Sequence, residues 1–253
     1  MTPGSLGLLA GAGALAGMVN AIAGGGSLIS FPALLAVGYP AVPANVTNTV
    51  ALWPGYVGGA LGYTSMLRAR ARDLVALAIT ALVGAAVGAA ILLTTSAAVF
   101  RSLVPYLILA SCLLLAVQPS VARLVRRLSN RPDGSHPPLA LHVLVFAASM
   151  YGAYFGAGLG VMLLAMLGLL MRETLGELNG IKNVLSLLIN SVALVAFALL
   201  GPVQWTAVLI MAATSLGGGY AGALVARRIP PMLLRVSVVV FGVVVAGWLL
   251  VRG

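Results

Sequence analysis

Residues 73–95 read DLVALAITALVGAAVGAAILLTT and carry a single charge, Asp73, at their first position. At about 1.5 Å per residue such a run is roughly 34 Å long as a helix, enough to cross a hydrocarbon core of about 30 Å. It lacks the strict alternation of a barrel strand. A helix is therefore expected, because it satisfies its own backbone in lipid. Comparable apolar runs lie on either side, at 6–22, 45–66, 100–118, 139–156, 180–201, 203–226 and 231–251. Of the 253 residues, 61% are hydrophobic and only 7% charged, against roughly 25% charged in a soluble domain. So few charges cannot cover a water-facing surface, and the fold class is an all-α integral membrane protein.

Two further apolar runs, 27–38 and 160–171, are too short to span. Their spacing belongs to a wider repetition. At an offset of 134, Gly24 meets Gly158, Gly26 meets Gly160, Thr80 meets Thr214, Gly84 meets Gly218, Gly88 meets Gly222 and Arg101 meets Arg235. With a slip of one residue, Asn48 meets Asn183. The chain is expected to hold two membrane repeats of about five helical segments each, 1–119 and 139–253, joined by a linker at 120–138. That linker carries Arg123, Arg126, Arg127, Arg131, Asp133 and three prolines.

The net charge of +10 would suggest nucleic acid in a soluble protein. Here the cations cluster in short connections, which points to membrane orientation instead. With the 68–72 loop placed in the cytoplasm, twelve Lys and Arg fall inside and two, Arg101 and Arg252, outside. Both termini then lie outside and the linker inside, in a plasma (inner) membrane. An odd number of segments per repeat inverts one repeat against the other, an architecture of secondary transporters with broken helices.

The glycine-rich breaks before the two short helices are the first candidates for function. Gly24, Gly25, Gly26 and Ser27 form one, with Ser27 expected as a helix N-cap. Gly156, Gly158 and Gly160 form the other. As re-entrant hairpins, the pairs would aim two helix N-termini at the protein centre, where N–H groups and dipoles favour an anion. Close helix packing is the competing reading of the same glycines. Behind each break a helix is polar on one side. Asn179, Asn183, Ser186 and Asn190 share a face, as do Asn45, Asn48, Thr49 and Tyr56. Such amides either line a solute path or bond between helices. Lys182 either anchors an anion or reaches for the cytoplasmic surface.

Other residues are read as structural. Gly84/Gly88 and Gly218/Gly222 are GxxxG packing pairs. Trp205 and Trp248 are interfacial, and Cys112 is a small buried hydrophobe. The only acids, Asp73, Asp133, Glu173 and Glu177, lie in loops or at helix ends. No carboxylate is left for a mid-membrane proton or sodium relay. Nucleotide-binding and hydrolase motifs are absent, so neither catalysis, a metal nor a cofactor is expected.

These stretches resemble the sulfite exporter TauE/SafE family of membrane permeases: "GMVNAIAGGGSLISFP" from Gly17 to Pro32, "NVTNTV" from Asn45, and "ARDLVALAITALVGAAVGA" from Ala71. The second-half counterparts are "GAYFGAGLGVMLLAMLGLL" and "LNGIKNVLSLLINS". The likeness covers nearly the whole chain. It implies export of a small anion such as sulfite or an organosulfonate. The contacts would be Gly24 to Ser27, Asn48 and Thr49, opposed by Gly156, Gly158, Gly160, Lys182 and Asn183, with Asn190 on the same face. Where Pro32 stands in the first half, the second reads Ala165-Met166-Leu167. The expected partners are the anionic solute and the bilayer, with homo-oligomerisation allowed and nucleic acid excluded. The alternatives are a permease for another solute, or an assembly or insertion factor that binds a protein.

Overall fold

The structure, a computed structural model, describes residues 2–22, 25–61, 71–128, 139–171, 173–225 and 231–252. Gly24, the arginines of the 68–72 loop up to Arg70, Arg131, Arg172, Arg227 and Arg228 lie outside them. The described chain is helical throughout, in ten helices: α1 (Pro3–Ile22), α2 (Ser27–Ala36), α3 (Ala41–Leu61), α4 (Ala71–Thr94), α5 (Ala97–Leu128), α6 (Leu139–Tyr154), α7 (Leu159–Leu170), α8 (Leu175–Leu200), α9 (Trp205–Val225) and α10 (Pro231–Arg252). Four of them are long and apolar enough to cross a membrane: Leu74–Thr94, Ala97–Val125, Gly176–Leu200 and Met232–Val251. Many large apolar side chains, such as Leu113, Leu199, Leu209 and Val251, are exposed, as a lipid-facing surface requires.

The two short helices fall where the sequence placed them. At 10 and 12 residues they reach about 15 and 18 Å, half a bilayer core. The helices recur in order. α3, α4 and α5 begin at residues 41, 71 and 97, and α8, α9 and α10 begin 134 residues later in each case. One boundary differs from the apolar pattern. The run at 100–118 continues as helix to Leu128, with Pro119 inside it. The arginines there do not end the helix.

Packing interleaves the halves. α1 lies along α9, and α6 along α4. α4 also packs on α8 and α9 on α3, while α3 crosses α8 and α5 crosses α10. Exchanging the halves maps each of these pairs onto another or onto itself. The first two pairs approach backbone to backbone. A methyl on Gly17 would stand 2.0 Å from the Ser215 carbonyl oxygen, and one on Gly218 2.0 Å from that of Ala14. In the other pair, a methyl on Gly88 would stand 2.1 Å from the Met150 carbonyl oxygen. Gly84, Gly88 and Gly218 are therefore packing glycines, as small residues at membrane helix contacts commonly are.

Two mixed four-helix bodies result. One contains α1, α2, α3 and α9; the other contains α4, α6, α7 and α8. Their principal direct contact is α3 against α8, and the pair α5 and α10 lies beside both. α5 breaks the exchange, because it also reaches α2, α3, α7 and α8, whereas α10 packs mainly on α5 and α2.

Candidate functional site

The first break turns on Gly25, whose φ of +86° is a left-handed value that suits glycine. The N-cap of α2 is Gly26 and not Ser27, with no side-chain cap; Ser27 is the first helical residue. The reason is close approach. A methyl on Gly26 would lie 2.3 Å from the Ala16 carbonyl oxygen, so only glycine fits against α1 there. The Gly26 N–H donates to Asn20 Oδ1 at 2.7 Å, which does the work of a cap from the preceding helix. From this seat α2 folds back along α1, and Leu15, Gly11 and Gly7 share an apolar groove with Ile29, Ala33 and Ala36.

One turn into α2, Ser30 is fully buried. Its hydroxyl lies 3.2 Å from the Gly26 carbonyl and 2.5 Å from Asn48 Oδ1. Asn48 is buried at 2% exposure, so this bond satisfies an amide that would otherwise be costly. Thr49, also buried, donates to the Asn45 carbonyl of its own helix at 3.1 Å.

The second break contains two left-handed glycines, Gly156 at φ +81° and Gly158 at +80°, the latter being the N-cap of α7. Its carbonyls are held both from α6 and from outside the hairpin. Asn45 Nδ2 on α3 donates to the Tyr154 carbonyl at 2.8 Å. The Ala157 carbonyl accepts from Tyr151 at 2.6 Å and lies 3.0 Å from Ser111 Oγ on α5. The Gly158 carbonyl takes the N–H groups of Val161 and Met162, which closes the first turn of α7. Gly160, in that turn, has the Lys182 chain beside it, with Cδ 3.7 Å from where its methyl would be. Lys182 Nζ donates to Asn179 Oδ1 at 3.1 Å. The ammonium group and the positive end of α7 thus belong to one neighbourhood.

The breaks are near one another. Phe31 of α2 meets Phe155 of the second break edge to face, with ring centroids 5.5 Å apart. Both breaks rest on consecutive residues of α5: Leu115 lies 3.1 Å from where a methyl on Gly25 would be, and Leu114 3.1 Å from one on Gly158. Where α3 crosses α8, Tyr56 hydrogen-bonds Asn190 and Trp53 Nε1 donates to Ser191 Oγ at 2.9 Å. Tyr56 and Asn190 are 134 residues apart, so the crossing lies at equivalent positions of the halves. Asn190 also donates to the Ser186 carbonyl at 2.8 Å, and Asn183, seven residues earlier on α8, is half-buried.

The structure thus brings together Gly25, Gly26 and Asn48, separately Gly160 and Lys182, and sets both groups around α5 and the α3–α8 crossing. Sequence reasoning did not single out Asn20, Ser30, Ser111 or Tyr151. Asn20 and Ser30 have a usable signal, since both flank the glycine run inside an otherwise apolar stretch. A cavity of about 660 Å³ between α1, α2 and α10 is lined by none of the candidate residues. Its apolar walls, with Trp248 and Phe241 among them, suit a lipid chain and not an anion.

The sulfite exporter TauE/SafE family matches the chain over residues 9–249. A probable membrane transporter protein of Haemophilus influenzae is 28% identical over 228 residues, covering 90% of this chain and 88% of its own. One from a Sinorhizobium species is 26% identical over 231 residues, 88% of this chain and 86% of the relative. A third, from Escherichia coli K12, is 25% identical over 250 residues, 99% and 91% of the two chains. No solved structure matches.

Proposed function

The chain belongs to the sulfite exporter TauE/SafE family, a multi-pass membrane transporter family, and from that premise we propose that it is a secondary permease exporting a small anion, sulfite or an organosulfonate. The observation that carries the reading is the pairing at the second break. Lys182 runs beside Gly160 in the first turn of α7, so a cation and a helix N-terminus share one place. Two positive ends side by side are electrostatically unfavourable until an anion joins them. Ser27, Asn48 and Thr49 with the Gly24 to Gly26 turn, and Gly156, Gly158, Asn183 and Asn190 opposite, would complete the path.

In this reading the halves are inverted repeats in the inner membrane, the termini outside and the 120–138 linker cytoplasmic. The moving parts are the two mixed bodies and not the two halves, because α1 and α9 are locked together by backbone contacts, as are α4 and α6. Rocking about the α3–α8 crossing would open the breaks first to one side and then to the other. An interior-negative potential favours anion exit by about 2.3 kcal/mol per charge per 100 mV, which provides a driving force with no buried carboxylate. The protein is thus a carrier and not an enzyme.

The test is flux of labelled sulfite and simple sulfonates in proteoliposomes. Saturable flux whose KM rises about tenfold or more in Lys182→Ala, in line with loss of one charge-assisted contact of about 1.5–3 kcal/mol, supports the reading. Wild-type flux with an unchanged KM in that variant removes Lys182 from the site. Stable capture of a protein partner with no flux of any anion would favour an assembly factor.

A further inference from the structure

Beside the second break, on α3, lies one polar atom that no described residue bonds. The Tyr154 carbonyl can only accept, so the Asn45 group facing it at 2.8 Å must be the amide nitrogen. That bond fixes how the side chain is turned and leaves Oδ1 on its other side. Asn45 is 1% exposed. Among the described residues, its Oδ1 is the one buried side-chain nitrogen or oxygen without a hydrogen-bond partner. An unpaired buried amide oxygen costs about 1–3 kcal/mol, and every comparable atom in the described interior avoids that cost.

The location of this oxygen suggests its use. Tyr154 ends α6, where the last carbonyls form the negative end of a helix dipole. Gly158, four residues on, opens α7 with its positive end. The break therefore offers a pole for an anion and, beside Asn45, a pole for a donor.

We propose that Asn45 Oδ1 accepts a hydrogen bond from the transported solute, so that the permease selects anions carrying an O–H or N–H donor besides their anionic group. This rests on the permease reading above and adds the chemical class of the substrate. A site built to bond a hydroxyl rejects the analogue lacking it, because its own polar group is then left unpaired. An ordered water would satisfy the oxygen alike for every solute. A sodium ion would do the same and tie flux to sodium, although Lys182 beside the same break disfavours a bare cation.

The experiment compares two anions of equal charge and similar size, ethanesulfonate and 2-hydroxyethanesulfonate, in proteoliposomes of the full chain. The expected result is a kcat/KM at least about tenfold higher for the hydroxylated anion in the wild type, falling to about twofold or less in Asn45→Ala. Should that variant fail to fold, Asn45→Gln keeps the amide, displaces the oxygen by one methylene, and is expected to lose the preference as well. A merely structural role for Asn45 would slow both anions and leave their ratio unchanged, which overturns the proposal. Equal transport of the two anions by the wild type also overturns it, as does flux that requires sodium and ignores the hydroxyl. No flux of either sulfonate or of sulfite in the same vesicles overturns the permease reading and this inference with it, whereas sulfite flux without either sulfonate overturns this inference alone, so the two failures are distinguishable.

Discussion

The first break is held by its own half of the chain: Gly26 bonds Asn20 of α1, and Ser30 bonds Asn48 of α3. The second is held partly by the other half: Asn45 of α3 bonds the Tyr154 carbonyl, and the Ala157 carbonyl, bonded by Tyr151 of its own α6, also has Ser111 of α5 against it. In terms of the two bodies, Asn20, Gly26, Ser30 and Asn48 all belong to one, whereas the Asn45–Tyr154 bond joins one body to the other. A rocking motion can carry the first break along intact. In the permease reading it would have to stretch or break the Asn45–Tyr154 bond at the second. If the protein works as the proposed carrier, the first break would be the scaffold and the Asn45–Tyr154 bond at the second the one that changes with its state.

Substitutions that strike one break at a time test this division. Gly26→Ala is expected to have the largest effect, because its methyl would lie 2.3 Å from the Ala16 carbonyl oxygen and 2.8 Å from Asn20 Cγ. Backbone must move, at a cost of about 1–3 kcal/mol or more, visible as a lower melting temperature in detergent and less folded protein. Gly158→Ala comes next. Its φ of +80° and the Leu114 side chain 3.1 Å away are expected to cost about 1–2 kcal/mol. Flux should fall further than this loss of stability explains, since the first turn of α7 is displaced. Equal loss of stability and flux at both glycines would erase the distinction between the breaks.

Smaller effects sharpen it. Ser30→Ala is expected to cost about 1 kcal/mol by leaving Asn48 unpaired, and Asn48→Leu combined with it should cost less than the two separately. A double-mutant cycle on melting temperature measures that coupling. Additive losses would mean the bond is not made. Gly160→Ala is expected to change stability by at most about 0.5 kcal/mol, because its methyl would make only an ordinary contact with Lys182 at 3.7 Å. Thermal melting checks this directly.

Much of the fold was legible in the sequence, because membrane helices announce themselves by apolar length. The short runs at 27–38 and 160–171 became α2 and α7, and the 134-residue offset reappears in where the helices start. The end of α5 was not legible, since Arg123, Arg126 and Arg127 end the apolar run without ending the helix. The cap of α2 was misread for a related reason. Ser is the better cap by propensity, but propensity carries no information about the Ala16 carbonyl that only Gly26 can approach. Within the candidate site, Lys182 and Gly160 stood out by type and spacing, and the structure sets them side by side. Ser111 and Tyr151 did not stand out, because a hydroxyl in an apolar run gives no hint of which distant carbonyl it meets.

The most direct measurement is flux of a labelled sulfonate through the purified protein in proteoliposomes with a potassium-diffusion potential imposed in either sense. The account predicts saturable movement that speeds up toward the positive side, reverses with the sign of the potential, and weakens in Lys182→Ala. Flux that ignores the potential and requires a proton gradient would contradict it.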